Sequence, residues 1–98
     1  MITEMALLTA LPGQAEELGR AIDRGVEFIR SAPGCEGVAV TRCVEKPDRF
    51  VVLVDWASLE AHVDDFRGSE LFKQWIGSIK GLFDPSTLDT HHYSPYRA

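Results

Sequence analysis

The segment Arg49–Trp56, which reads RFVVLVDW, carries the strongest strand signal in the sequence. Its centre holds only β-branched, aromatic and leucine side chains, the residue types that favour strands. Side chains alternate between the two faces of a strand. One face therefore carries Phe50, Val52, Val54 and Trp56, and the other carries Val51 and Leu53. A strand with one face in water would alternate apolar and polar residues, so both faces of this strand need cover.

Upstream of this strand, the sequence predicts a strand, a helix and a second strand. Residues 2–10 are mostly apolar and unbroken, which indicates a strand that ends at a Pro-Gly turn. Residues 14–30 place apolar side chains at helical spacing on one face and charged side chains on the other. Residues 35–44 indicate another strand, and a short polar turn joins it to Arg49–Trp56 as an antiparallel hairpin.

Downstream, the sequence predicts a broken helix and a last strand. Ser58 is placed to cap a helix that runs to Phe66, and Gly68-Ser69 interrupts this helix and starts another. The apolar face of the second helix consists of Phe72, Trp75, Ile76, Ile79 and Phe83. Residues 87–93 form the predicted last strand, and residues 94–98 form an irregular end.

The predicted order of elements is β-α-β-β-α(α)-β, which is the split βαβ pattern of a ferredoxin-like α+β domain with an antiparallel sheet. A chain of 98 residues provides for a single domain, spanning residues 1–98. The helices of this topology cover one face of the sheet. Because the strand Arg49–Trp56 is apolar on both faces, we expect a second copy of the chain to cover the other face in a symmetric homodimer. The alternative is a monomer with a few exposed valines, which many proteins tolerate.

Composition and charge narrow the class of partner. The chain has a formal net charge of −5 and scattered basic residues, which argues against binding nucleic acid or an anionic membrane surface. No apolar run is long enough to span a bilayer, and the N-terminus lacks the pattern of a signal peptide, so we expect a cytoplasmic protein. Cys35 and Cys43 match no metal-binding or CxxC spacing and are expected to be free thiols.

Three histidines are the main candidates for acid–base chemistry. His62 and Phe66 lie four residues apart and share a helix face, and Asp65 is placed to orient the His62 imidazole. His62 is therefore either a general base or a partly exposed helix histidine. His91 and His92 are neighbours on a strand and face opposite ways, so they cannot both line one pocket.

Two tryptophans indicate where a small molecule could bind. Trp56 ends the strongest strand, and Trp75 lies on the helix face that packs over the sheet. A gap between them would be an apolar pocket with aromatic walls, which is the usual form of a small-molecule site. The alternative is that both tryptophans are simply core residues.

Residues between Asp55 and Trp75 resemble the pattern W-x-S-x-x-A-H-x-x-x-F-x-x-S-x-x-F-x-x-W of the antibiotic biosynthesis monooxygenase (ABM) domain family, in the dimeric α/β barrel superfamily. The matching residues are Trp56, Ser58, Ala61, His62, Phe66, Ser69, Phe72 and Trp75. Pro-Gly pairs after the first strand and the first helix also match, as does His92-Tyr93 in the last strand. The resemblance covers nearly the whole chain, and it implies the ferredoxin-like fold and a homodimer that forms an α/β barrel.

Some members of this family are monooxygenases that oxidise phenols, anthrones or quinols with O₂ and use no flavin or metal. The resemblance implies an enzyme of this kind, with a small aromatic substrate and no cofactor. It implies that the catalytic residues are His62 and His92. It also implies that the substrate-binding residues are Trp56, Phe66, Phe72, Trp75 and Tyr93.

Two other functions remain open at this point. Another branch of the family degrades haem, but its members carry an Asn in the first strand and a haem-ligating His where this sequence has Ala6 and Ile76. Without that axial histidine, haem loses its usual anchor. The second alternative is a non-catalytic barrel that binds a small ligand or acts in a stress response, because few polar residues converge on the predicted pocket.

Overall fold

The computed structural model of this chain describes residues 1–96 and shows an antiparallel 4-stranded sheet with its helices on one face. Its strands and helices are β1 (Ile2–Thr9), α1 (Ala15–Arg30), β2 (Cys35–Arg42), β3 (Arg49–Trp56), α2 (Glu70–Ile79) and β4 (Asp89–Tyr93). A π-helical turn at Ala61–Phe66 precedes α2, and a 3₁₀ turn at Pro85–Thr87 follows it. The strand order β2-β3-β1-β4 confirms the ferredoxin-like α+β fold. The end of the predicted irregular tail, Arg97 and Ala98, lies outside the described residues.

Alternation along β3 divides the sheet into an inner face, beneath the helices, and an outer face. The inner side chains of β3 are all buried, as the sequence predicts: Phe50, Val52, Val54 and Trp56. The register places Val54 opposite Glu4 of β1, and Glu4 opposite His92 of β4. Because directly paired residues of antiparallel strands share a face, Glu4 and His92 both lie on the inner face.

Helix α1 supplies much of the apolar cover for the inner face. Its buried residues are Leu18, Ala21, Ile22, Gly25, Val26 and Ile29. Burial of each large apolar side chain stabilises the fold by about 1.5–3 kcal/mol. Gly25 faces α2 so closely that a Cβ atom there would lie 2.9 Å from Ser78 Cβ and 2.9 Å from Trp75 Cε3. The glycine therefore lets the two helices approach and leaves room for the Trp75 ring.

Two serines begin the helical segments after β3, as the sequence predicts. The hydroxyl of Ser58 accepts a 3.2 Å hydrogen bond from the amide of Ala61, and the hydroxyl of Ser69 accepts one of 3.4 Å from the amide of Phe72. Caps of this kind satisfy amides that have no partner within the helix, so they fix where each segment starts.

The sequence predicts that the last helix continues to Phe83, and this prediction is wrong because α2 ends at Ile79. Lys80 leaves the helical conformation with a ψ of 133°, and Gly81 has a φ of +82°, which residues with a side chain rarely adopt. Phe83 is buried nevertheless, since it forms an isolated bridge with Ala10. An apolar residue at helical spacing thus reaches the core through a turn.

The outer face of the sheet remains partly exposed. Val51 and Leu53 of β3 are half-buried, Met5 of β1 is 37% exposed and Tyr93 of β4 is 52% exposed. This pattern agrees with the expectation that the helices cover one face of the sheet. The homodimer stays a prediction.

Candidate active site

A cavity of about 480 Å³ lies between the inner face of the sheet, the π-helical turn and α2. Its walls are mainly apolar and consist of Ala6, Leu8, Ile29, Val52, Phe66, Phe72, Trp75, Ile76, Ile79, Phe83 and Leu88. Its polar lining consists of Glu4, His62, Arg67 and Thr90. A concave apolar site with a few polar groups is the usual form of a binding site for a small organic molecule.

Several of the predicted site residues come together on this cavity: His62, Phe66, Phe72 and Trp75. The rings of Phe66 and Phe72 meet edge to face, with centroids 5.5 Å apart. This is a favourable geometry for an aromatic pair, so the two rings support each other as one wall of the cavity.

Trp56 stands behind the cavity and does not line it. Its side chain is 0% exposed and stacks on the His62 imidazole, with ring centroids 5.2 Å apart and an interplanar angle of 17°. The sequence predicts that Trp56 contacts substrate. In the structure it instead supports a residue that lines the cavity.

The π-helical turn brings His62 and Arg67 to the same cavity. The amide of Arg67 donates a 3.1 Å hydrogen bond to the carbonyl of His62, five residues earlier. This i→i+5 bond is the mark of a π-helix, and it places Arg67 over His62. In an α-helix, His62 would align with Phe66 through the four-residue spacing. The sequence predicts an α-helix here and therefore gives no reason to select Arg67.

Glu4 is a buried carboxylate on the inner face, only 8% exposed. Its Oε1 atom accepts a 2.9 Å hydrogen bond from the indole Nε1 of Trp56 and lies 3.4 Å from Nε2 of His62. Burial raises the pKa of Glu4 above its ordinary value, and the Trp56 hydrogen bond and the positive charge of Arg67 oppose that rise.

His62 is the centre of this polar group and is 3% exposed. Its Nδ1 lies 2.7 Å from Nε2 of His92, and its Nε2 faces Glu4. Burial, then the charge of Arg67 and the neighbouring His92, lowers the pKa of His62 to about 4. Burial and the charges of Arg67 and His91 also lower the pKa of His92. Both imidazoles of the pair are therefore neutral at pH 7.

Tyr93 lies on the outer face of the sheet and does not meet the other predicted substrate-binding residues. The alternation along β4 leaves Tyr93 and His91 exposed and turns His92 inward. Of the neighbouring histidines, His92 is thus the one that reaches His62.

Residues 1–78 match the sequence model of the family Antibiotic biosynthesis monooxygenase, ABM. The chain belongs to the ABM family. This membership confirms the resemblance seen in the sequence motif. The solved structure of a Bordetella bronchiseptica protein assigned to the antibiotic biosynthesis monooxygenases is 30% identical to this ABM chain and has a TM-score of 0.88. The similarity covers 96% of this chain and 95% of that one.

Two further proteins are similar to this ABM chain. YczJ of Bacillus subtilis, an uncharacterised protein, is 27% identical over 91 residues, which are 93% of this chain and 96% of YczJ. SnoaB of Streptomyces nogalater, a cofactor-independent oxygenase, is 16% identical and has a TM-score of 0.81, covering 99% of this chain and 94% of SnoaB. At that identity the likeness to SnoaB shows the shared fold.

The sequence interpretation of this ABM domain missed three polar residues of the site, Glu4, Arg67 and Thr90. A signal for Glu4 is present, because it is the one charged residue in β1 and lies two positions before the buried Ala6, on the same face. The sequence instead assigns Asp65 as the partner of His62. Asp65 is exposed, and among residues 1–96 the polar contacts of the His62 imidazole are with Glu4 and His92.

The described part of this ABM chain, residues 1–96, has no group of three or more His, Cys, Asp or Glu side chains that could hold a metal ion. Ala6 and Ile76 both line the cavity, and neither side chain can ligate the iron of a haem. Cys35 and Cys43 are free thiols, as expected. Among the helices of residues 1–96, none has the length and apolar character needed to cross a membrane.

Proposed function

We propose that this ABM protein is an oxygenase that binds a small hydroxylated aromatic compound, such as a quinol, phenol or anthrone, and oxidises it with O₂ without a cofactor. One observation carries the proposal. A cavity of about 480 Å³ with aromatic walls ends at an acid–base group formed by buried Glu4 and His62 and half-buried His92. Family membership supports the reaction class, since the family is named for monooxygenases.

The chemistry places few demands on the protein, because the substrate supplies the electrons. When a methylene between aromatic rings becomes a carbonyl, one atom of O₂ enters the carbonyl and the other leaves as water. The protein removes a proton from the substrate, excludes water from the apolar site, and stabilises the oxyanion that results. A cavity with apolar walls and a small polar end suits these tasks.

In this proposal the lining residues divide the tasks. Phe66, Phe72 and Trp75 provide faces and edges for packing against a flat aromatic ring. Arg67 lines the cavity, is exposed, and forms no ion pair within residues 1–96. Its guanidinium is therefore placed to stabilise a phenolate oxygen. His62 and His92, the catalytic residues predicted from the sequence, belong to the acid–base group.

We also propose that the protein is a homodimer in which the outer faces of two sheets pack together. The outer face presents Leu7, Val51 and Leu53 half-buried and Met5 37% exposed, on the side that the helices leave open. Two sheets that pack face to face interdigitate such side chains into a common core. A second copy would thus remove this apolar surface from water.

Oxygen uptake by metal-free protein tests the proposed reaction, with a panel of quinols, anthrones and catechols and a no-protein control. We expect uptake above the control and the appearance of quinone absorbance. A Phe72→Trp variant, which fills part of the cavity, should lower the uptake. No uptake with any compound would contradict the oxygenase proposal.

Non-catalytic binding of a small ligand is the second candidate function. It is favoured by the small number of polar lining residues, which are Glu4, His62, Arg67 and Thr90. Calorimetry with the same panel distinguishes the two candidates, since binding heat without oxygen uptake would support the non-catalytic function.

A further inference from the structure

The carboxylate of Glu4, which lines the cavity, has one oxygen that is bonded within the protein and one that is not. Oε1 accepts the indole hydrogen of Trp56 and lies beside His62. Oε2 makes no hydrogen bond within residues 1–96. Among the side-chain nitrogen and oxygen atoms of residues 1–96, Nε of Arg49 is the one that has neither contact with solvent nor a hydrogen-bond partner. Oε2 of Glu4 also has no partner, so it must keep some accessible surface. Glu4 itself lines the cavity, so the unpartnered Oε2 is the carboxylate oxygen available to a molecule bound there.

The imidazole of His62 has no nitrogen turned towards a substrate. Its Nδ1 is 2.7 Å from Nε2 of His92, and its Nε2 is 3.4 Å from Oε1 of Glu4. A general base must come within hydrogen-bond reach of the proton that it takes. Since both nitrogens of His62 face protein atoms, the accessible proton acceptor at this end of the cavity is Oε2 of Glu4.

Hydrogen-bond polarity assigns one tautomer to each imidazole. Oε1 of Glu4 is an acceptor, since the indole N–H of Trp56 donates to it. Nε2 of His62 faces the same oxygen, and a lone pair on Nε2 would repel the lone pairs of Oε1. Nε2 of His62 therefore carries the hydrogen of that imidazole. A neutral imidazole has a single N–H, which leaves Nδ1 of His62 as an acceptor. The hydrogen in the 2.7 Å contact therefore belongs to Nε2 of His92. The contact of His62 with Glu4 is 3.4 Å, which is long for a hydrogen bond. It therefore adds little bond energy, and its effect is to decide which ring nitrogen of His62 carries the hydrogen.

We propose that Glu4 is the catalytic base of this cavity, that its Oε2 accepts the hydroxyl proton of a bound phenol, and that Trp56, His62 and His92 position it. The proposal rests on the proposed function and moves the proton transfer from His62, where the sequence places it, to Glu4. In the step, the substrate O–H bond breaks, the proton bonds to Oε2, and the electron pair stays on the phenolate oxygen. Arg67, on the same cavity, stabilises that phenolate, and oxidation by O₂ follows.

The pKa directions agree with these roles. Burial raises the pKa of Glu4, which makes its carboxylate a stronger base than an exposed one. The pKa of His62, at about 4, makes its imidazole a weak base near neutral pH. The other charged or titratable groups around this pair are His92 and Arg67, from β4 and from the end of the π-helical turn.

The first test measures binding and needs no turnover. 1-Naphthol is the probe, and 1-methoxynaphthalene, which lacks the hydroxyl hydrogen, is its matched control. We expect 1-naphthol to bind roughly 10-fold more tightly and to shift the carboxyl ¹³C resonance of Glu4. Glu4→Gln should remove this preference, and Glu36→Gln, at an exposed site on β2, should keep it. Equal binding of the two probes, or binding of neither, would overturn the proposal whether or not the variants fold.

The second test measures the tautomers with ¹⁵N spectra of the histidines at pH 7. We expect the hydrogen on Nε2 in both His62 and His92. A hydrogen on Nδ1 of His62 would mean that its Nε2 does not donate towards Glu4, and the proposed positioning would be wrong.

Turnover then separates this proposal from the oxygenase proposal. With any substrate found by oxygen uptake, Glu4→Gln should lower kcat by roughly 10²–10⁴-fold, because the amide keeps the shape but cannot take a proton. His62→Gln should lower kcat less and shift the pH profile, since His62 acts through Glu4. A wild-type kcat in Glu4→Gln would disprove the base assignment and leave the oxygenase proposal intact. If the wild-type protein itself consumes no oxygen, the oxygenase proposal fails, and the probe binding alone decides the role of Glu4.

Discussion

The indole Nε1 of Trp56 and the carboxylate Oε1 of Glu4 are joined by a 2.9 Å hydrogen bond between residues that lie 52 positions apart in the sequence. The register of β1 and β3 pairs Ile2 with Trp56 and Glu4 with Val54, so Trp56 and Glu4 are diagonal neighbours on the inner face. The bond supplies a partner to a buried carboxylate, and a buried polar group without a partner is costly.

Replacing Trp56 with phenylalanine should destabilise the protein and raise the pKa of Glu4 further. Trp56→Phe removes the donor to the carboxylate, which should lower the free energy of unfolding by about 1–3 kcal/mol, in addition to the packing lost with the smaller ring. Urea unfolding measures the stability, and ¹³C titration measures the pKa of Glu4. Trp75→Phe is the control, because Trp75 is also buried but makes no bond to Glu4. If Glu4 titrates alike in both variants, the indole hydrogen bond has no influence on the carboxylate.

Gly25 should be intolerant of even a methyl group. The added Cβ of Gly25→Ala would lie 2.9 Å from atoms of Ser78 and Trp75, so the two helices must separate, at a cost of about 1–3 kcal/mol in the free energy of unfolding. Because Trp75 lines the cavity, the same change should also weaken 1-naphthol binding.

Gly77→Ala provides the matched control for this helix pair. A Cβ atom at Gly77 meets nothing within 4 Å, so the better helix former should stabilise the protein by about 0.5–1 kcal/mol. Urea unfolding of the two variants therefore should give opposite signs. Equal stability of Gly25→Ala and the wild-type protein would show that α1 and α2 can move apart at little cost.

The fold could be predicted from the sequence because its signals are local and consistent. The strand Arg49–Trp56, the two serine caps and the apolar periodicity of α1 each indicate the element that forms. The boundary at Ile79 could not be read in this way, because Phe83 continues the apolar spacing after the backbone has left the helix. Apolar periodicity predicts which residues are buried, but it does not show whether a helix or a turn brings each of them into the core.

The candidate site was only partly predictable, for two physical reasons. His62, Phe66, Phe72 and Trp75 lie within one short segment that carries the family motif, and the structure brings them together. The contact of Glu4 with His62 depends instead on strand register and on the docking of the π-helical turn, which are long-range features.

More local features explain why Arg67 lines the cavity and Tyr93 does not. Arg67 reaches the cavity through the i→i+5 spacing of a π-helix, and no residue pattern distinguished that turn from an α-helix. Tyr93 follows His92 directly in β4, so the two must face opposite sides of the sheet. The alternation of side chains along a strand therefore allows only one of the two on the cavity side of the sheet.

Acid should destabilise the protein through His62. The pKa of His62 is about 4 in the folded state and near its ordinary value of 6.5 when unfolded, so the unfolded chain binds more protons between these values. The stabilising effect is therefore complete above pH 6.5 and is lost as the pH falls towards 4. Between pH 7 and pH 5, His62 should reduce the free energy of unfolding by about 2 kcal/mol.

Comparison with a His62→Gln variant isolates this contribution in urea unfolding at pH 7 and pH 5. Glu4, whose pKa is raised, acts with the opposite sign as the pH falls, and His92, whose pKa is lowered, acts with the same sign as His62. Arg67 is the third charged or titratable group near His62. All three groups remain in the variant, so the difference between the two proteins reports His62. Parallel pH dependence in the two proteins would contradict the lowered pKa.

Light scattering should show a dimer, with about twice the chain mass of 10.9 kDa at low micromolar concentration. Leu53→Glu should dissociate it, because this substitution puts a charge at the centre of the apolar outer face, where a second sheet would leave it desolvated and unpaired. Leu59→Glu is the control, since Leu59 is 43% exposed and lies in the first helical turn after β3, outside the strands of the sheet. Circular dichroism confirms that each variant is folded. If the wild-type protein has the mass of one chain, the outer face of the sheet is exposed to solvent and the dimer proposal is wrong. If Leu53→Glu remains a dimer, the interface does not lie on the outer face.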